Sequence, residues 1–186
     1  MTKGVMISIN PVFVRAIEQR VKTLEVRKNM PKLEAPFRCF IYCTANGSGE
    51  LLRDVFKGDI AAWNKEKWGE RKGKVIGEFI CDQIECVDIP YPAFQGKLDK
   101  RYVEQSCVRY YDLHRYVYHD AAYFWHITNL KMYEQPKDLS DFKPWSRECK
   151  YSDLGLAIPD CWTCHACKME RPPQSWCYVD ITGDAV

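Results

Sequence analysis

The sequence predicts an α+β fold, mainly β, in which a small, strongly bent or closed sheet carries flanking helices. Three observations lead there. Apolar alternation recurs in several short runs, as half-buried strands require. Helical periodicity is short and concentrated early in the chain. The regular strand–helix alternation of a doubly wound parallel sheet is missing. The 186 residues are 46% hydrophobic and 28% charged, which fits one globular domain over 1–186 better than two.

The elements follow in order. Val5-Met6-Ile7-Ser8-Ile9 alternates well enough for a first strand. Asn10 is a good N-cap, and Pro11 suits the first helical position, where its missing N–H costs nothing. Phe13, Val14 and Ile17 then give one apolar stripe to about Gln19. Lys22, Glu25 and Arg27 come next, among apolar neighbours. If residues 23–27 are extended, Thr23, Glu25 and Arg27 share a face and Val26 and Leu24 turn to the core. Lys22 has the opposite parity unless the chain bends there. Two cations around one carboxylate suit an anion, a nucleotide or a carbonyl that gathers charge during a reaction. The same three residues would also serve as ordinary ion pairs on a solvated strand edge.

Met30-Pro31 and Ala35-Pro36 mark a loop, since each proline biases its predecessor away from helix. Phe37-Arg38-Cys39-Phe40-Ile41-Tyr42-Cys43 is a strand, ended by the turn Asn46-Gly47-Ser48-Gly49. A helix is expected over about 58–67. Residues 73–81 form a strand running on to Val87, in which Gly77 marks a bulge or a close backbone approach. Residues 99–118 hold a helix. Residues 123–133 read as strand, turn, strand, and Trp176-Cys177-Tyr178-Val179 closes the sheet.

Charge is uneven although the net is only +2. Residues 1–80 hold 15 Lys and Arg against 9 Asp and Glu, whereas 81–186 hold 12 against 16. The first part can steer an anionic partner, but it lacks the basic run of a non-specific DNA binder. No apolar run approaches the ~20 residues needed to cross a bilayer, and the N-terminus has no signal-peptide core. The expectation is a cytoplasmic protein without membrane contact, whose thiols are mostly reduced. No Gly-rich phosphate loop or nucleophile elbow occurs.

Ten cysteines are present, and Cys161-Trp162-Thr163-Cys164-His165-Ala166-Cys167 clusters three of them. A Cys-x2-Cys turn presents both thiolates to one ion, and zinc takes four ligands in a tetrahedron. Cys149 is the expected fourth ligand, with Cys177 the alternative. The polar segment 146–172 would then be a Cys-rich insertion before the last strand, held by a structural zinc that offsets its ordering entropy.

The first strand, the helix after Asn10-Pro11, and Lys22-Thr23-Leu24-Glu25-Val26-Arg27 together resemble an ASCH domain. Lys22, Glu25 and Arg27 match that family's Gly-x-Lys-x-x-Glu-x-Arg signature, with Arg20 in the Gly position. Phe40-Ile41-Tyr42, the run from Gly73 to Phe79, and Trp125-His126-Ile127 followed by Leu130, Tyr133 and Pro136 resemble its later strands. The last of these, with the closing segment around Trp176, is similar to phage and prophage members.

The resemblance implies a small PUA-like mixed β-barrel with flanking helices. It also implies nucleic-acid or modified-nucleotide binding in a cationic cleft formed by Lys22, Glu25 and Arg27. Single-stranded RNA or a modified base is the expected ligand. Arg20 and Lys28 would extend the phosphate path, and Trp125 and Trp176 would stack on bases. Some relatives are amidohydrolases or ribonucleases, and their set maps onto Lys22, Thr23 and Glu78 as a catalytic trio for a modified cytidine or RNA. A third reading is a phage-encoded module that binds a host protein.

Overall fold

A computed structural model describes residues 2–45, 70–89, 98–118, 121–145 and 168–182. Strands β1 (Lys3–Ile9), β3 (Phe37–Cys43), β4 (Val75–Cys81), β7 (Thr128–Lys137), β8 (Lys143–Pro144) and β9 (Trp176–Asp180) form a six-stranded sheet. Its order is β7-β4-β3-β1-β9-β8. Only β1 and β3 run parallel in it. Strands β2 (Leu24–Arg27), β5 (Ile84–Asp88) and β6 (Ala121–His126) form a second sheet in the order β2-β6-β5. The described helices are α1 (Pro11–Glu18), α2 (Lys100–Ser106) and α3 (Tyr110–Val117). A parallel pair needs a crossover, and α1 with β2 supplies it between β1 and β3.

Local chemistry accounts for the early elements. The Asn10 side chain accepts from Val12 N at 3.1 Å and caps α1, as expected. The helix ends where Arg20 turns left-handed at φ 62°. That conformation costs a non-glycine residue about 1–2 kcal/mol. The Arg20 guanidinium donates to Leu130 O at 2.9 Å, which ties the strained turn to β7. The single helix expected over 99–118 is two, broken where Cys107 turns left-handed after α2.

β4 and β5 are one run of chain interrupted at Asp82-Gln83, and β6 and β7 are another interrupted at Ile127. The two runs pair as an antiparallel ribbon, β4 with β7 and β5 with β6, so each half belongs to a different sheet. The turn expected within 123–133 is therefore a corner between sheets and not a hairpin. Bonds from His126 N to Gln83 O (3.0 Å) and from Ile127 N to Thr23 O (2.9 Å) satisfy the backbone there.

The expected closed barrel is not what forms: among the described residues no sheet closes on itself. Both ladder edges of β1 are taken, by β3 and β9. Among the described residues the free edge of β2 therefore finds no strand beside it. A side chain spans the gap instead. Arg27 on β2 donates to Ser8 O near the end of β1 (2.6 Å) and to Ser175 Oγ just before β9 (3.3 Å).

Most of the apolar packing among the described residues lies in three clusters, with a small fourth of Ala16 and Cys107. Val5, Ile7, Ile41, Phe79 and Trp125 pack with Val14 and Ile17 of α1 on the inner face of the large sheet. Met6, Phe40, Tyr42 and Val179 pack beneath Leu139, Phe142 and Met169 in a second cluster. Leu24, Val26, Ala122 and Phe124 pack with Tyr102 of α2 and Leu113 and Val117 of α3. No described helix is long and apolar enough to cross a membrane.

The expected structural zinc is also corrected. No group of three or more His, Cys, Asp or Glu side chains among the described residues is arranged to hold a metal ion. Cys39, Cys43, Cys81 and Cys107 are buried free thiols, and Cys177 packs against the second cluster, so none converges with others as ligands would. Burial pushes the thiols of Cys43 and Cys81 up to about 12, which keeps them protonated and poor metal donors. Cys149, Cys161, Cys164 and Cys167 lie outside the described residues, as does the helix expected over 58–67.

Gly77 bears out the expected close approach: a Cβ there would sit 2.7 Å from Lys131 O on β7. Gly77→Ala should lower the unfolding free energy by about 1–3 kcal/mol. Urea denaturation reads this directly, and an unshifted midpoint would contradict the tight β4–β7 contact.

Candidate functional site

The gap that Arg27 spans opens into a cavity of about 530 Å³, within the ordinary range for small-molecule sites. Ser8, Ile9 and Asn10 form one wall, Phe13 of α1 another, and Lys22 with Glu25, Val26 and Arg27 the floor. Val108 and the face of α3 bearing Asp112, Leu113, Arg115 and Tyr116 complete it.

Three charges meet at the floor. Glu25 Oε2 lies 3.2 Å from Lys22 Nζ, and Oε1 lies 3.1 Å from Arg27 Nη2. All three side chains are buried. The chain does bend, through Arg20, and this brings Lys22 to the side of Glu25 despite its parity. Lys22 Nζ also donates to Leu24 O (2.8 Å) and to Ser106 O at the end of α2 (2.7 Å). Two carbonyls thus accept from the ammonium, the Glu25 carboxylate adds a counter-charge at ion-pair distance, and the negative end of a helix favours the cation. Burial pulls the Lys22 pKa below the ordinary lysine value, and the Glu25 carboxylate opposes it. The Phe13 ring adds a cation–π contact at 4.9 Å. Arg27 also hydrogen-bonds the Tyr116 hydroxyl, while its buried Nε has no acceptor among the described residues.

The structure thus brings Lys22, Glu25 and Arg27 together, and puts Lys28 at the rim, with its ammonium over the Tyr116 ring at 5.0 Å. Other expected site residues stand elsewhere. Thr23 is exposed and lines no part of the cavity. Glu78 is held on the large sheet by Arg38 (2.7 Å) and Tyr133 (2.5 Å), opposite Phe40 of the second cluster. Arg20 serves Leu130 O. Trp125 is fully buried in the core, and Trp176 donates from Nε1 to Asn29 Oδ1 at 2.7 Å, so neither lines the cavity. Sequence reasoning missed α3 altogether as a wall. The signal was there: Tyr111, Arg115 and Tyr116 lie on a short helix whose core face is already supplied by Tyr110, Leu113, His114 and Val117.

A second polar cluster lies away from the cavity. Glu85 accepts from Arg101 Nη2 (2.6 Å) and the Tyr102 hydroxyl (2.8 Å), and His126 Nε2 lies 2.8 Å from its other oxygen. Burial works against the Glu85 charge, but these hydrogen bonds outweigh it and draw the carboxyl down to about 2.

No family model matches the sequence, and no curated protein matches it. Solved structures do. The crystal structure of ASCH from Zymomonas mobilis superposes with a TM-score of 0.52 at 19% identity, covering 96% of this chain and 89% of that one. A serine-to-alanine mutant of the same Zymomonas protein gives 0.51 at 19%, over 96% and 89%. A tyrosine-to-phenylalanine mutant gives 0.52 at 19%, over 97% and 92%. At this identity the likeness shows a fold shared with that protein.

Two outcomes follow from the charges. Glu25→Gln leaves two buried cations without their counter-charge and should cost about 3–5 kcal/mol of stability. Adding Lys22→Met should give a double variant less destabilised than the two losses summed, in a denaturation cycle. The depressed Glu85 carboxyl contributes stability that is fully present above 4.5 and is lost as pH falls toward about 2. Glu85→Gln should flatten the acid limb of the stability–pH curve across that window. An unchanged slope would mean that the cluster does not couple to folding.

Proposed function

We propose that the chain binds nucleic acid or a modified nucleotide, with a base inside the cavity between β1, β2 and α3 and its phosphate at the rim. The observation that carries this reading is the desolvated Lys22–Glu25–Arg27 group on the floor of a chamber whose walls mix apolar and polar side chains. Ile9, Phe13 and Val26 offer flat apolar walls to the faces of a base. The Arg27 side chain, which lines the cavity, offers positive charge to a ring carbonyl or a phosphate oxygen. Glu25 holds the guanidinium in place, so little reorganisation is needed on binding. Lys28 and Arg115 at the mouth suit a phosphate. The ASCH resemblance supports RNA or a modified base as the ligand class. Binding is favoured over hydrolysis by the trio Lys22, Thr23 and Glu78, because those three do not share one chamber.

A thermal-shift screen of nucleoside monophosphates, modified cytidines and short single-stranded RNAs tests this. At least one should raise the melting temperature in a salt-dependent way. Arg115→Ala, at an exposed position, should weaken the phosphate-bearing ligand and reduce its salt slope by about one. Arg27→Ala should abolish binding, and circular dichroism would check that the variant remains folded. No stabilisation by any member of the panel would remove the proposal.

A further inference from the structure

Two cation–tyrosine pairs each include a residue of the cavity lining, Tyr116 in one and Arg115 in the other. Lys28 Nζ lies 5.0 Å from the Tyr116 ring centroid, and the Arg115 guanidinium lies 5.8 Å from that of Tyr111. All four side chains are exposed, Tyr111 to 64%. Tyr111 and Arg115 are four apart on α3 and so share one face. That face is not the one α3 buries, which carries Leu113 and Val117. Arg115 and Tyr116 belong to the cavity lining as well, so the outer face of α3 continues the site without a break. The acid beside them, Asp112, is already held by Arg109 at 2.7 Å. The rim therefore combines an exposed ring for stacking with unscreened positive charge.

We infer that the site takes a segment of single-stranded nucleic acid and not a free nucleotide, with one base in the cavity and the next lying on Tyr111. Arg115 and Lys28 would meet the phosphates on either side of the step. This rests on the nucleotide-binding reading of the cavity and extends it along α3. Stacking on an exposed ring is open to every base, and alternating rings and cations follow a strand's alternating bases and phosphates. A polyanion is favoured over a protein partner because both exposed rings come paired with a cation.

The test compares a fluorescently labelled short single-stranded RNA of mixed sequence with the four ribonucleoside monophosphates. The strand should bind about tenfold more tightly than any mononucleotide. Tyr111→Ala should remove about that factor from the strand and leave mononucleotide affinity unchanged, while Tyr111→Trp should retain it. Equal affinity for the matching DNA strand would support the platform and show that it does not read the 2′-hydroxyl. Two results overturn the inference yet spare the cavity reading. One is equal affinity for strand and mononucleotide, with both lost in Arg27→Ala. The other is a Tyr111→Ala protein that binds the strand as the unaltered chain does, which would hand that helix face to a protein partner. Failure of strand and mononucleotides alike to bind would overturn both.

Discussion

A carboxylate shut away from water must be neutralised by neighbours, and Glu25 meets that requirement with a cation on either side. Much of the local structure is arranged to keep the three charges together. α1 must end in a left-handed residue for Lys22 to swing back. α2 must end where its Ser106 carbonyl can receive the ammonium. β2 must stand far enough from β1 for the Arg27 guanidinium to lie between them. Each of these is a backbone decision, yet each is explained by one desolvated side chain.

The same requirement explains why the sheets do not close. A ladder between β2 and its neighbour would satisfy amides that the guanidinium and the ribbon corners now serve, and it would leave no room for the buried ions. The two sheets are joined instead at the bends after β4 and β6, which hold the halves at a fixed angle. The open side becomes the chamber. Its floor lies on a strand whose Leu24 and Val26 are packed in the core, and the third wall is a short helix whose Leu113 and Val117 share that cluster.

Much of this was legible in the sequence. The capped helix after Asn10, the first strand and the strand over residues 37–43 were set by local signals that tertiary contacts did not override. The spacing of Lys22, Glu25 and Arg27 announced a charged group, because three ionisable residues among apolar ones must either face solvent or pair. What could not be read was partition. Period-two alternation says that a strand is half buried, but it does not say which sheet owns it, so β4–β5 and β6–β7 looked like single strands or a hairpin. Thr23 follows the parity of Glu25, yet its position at the strand end leaves it outside. Trp125 and Glu78 look functional by residue type and are placed by packing and by Arg38 instead. The helix that became α3 was expected, but its part in the cavity was not, because tyrosines read equally as core or as surface.

The buried sulfur atoms lead to a different property. Cys39, Cys43 and Cys81 sit on the central strands β3 and β4, protonated and out of reach of reagents. Cys86 on β5 is exposed. Among the described cysteines, alkylation of the folded molecule therefore begins at Cys86, whereas alkylation of the central trio needs β3 and β4 to separate. The chain carries its own clock for the rupture of the ladder between β3 and β4, readable as the mass an alkylating reagent adds.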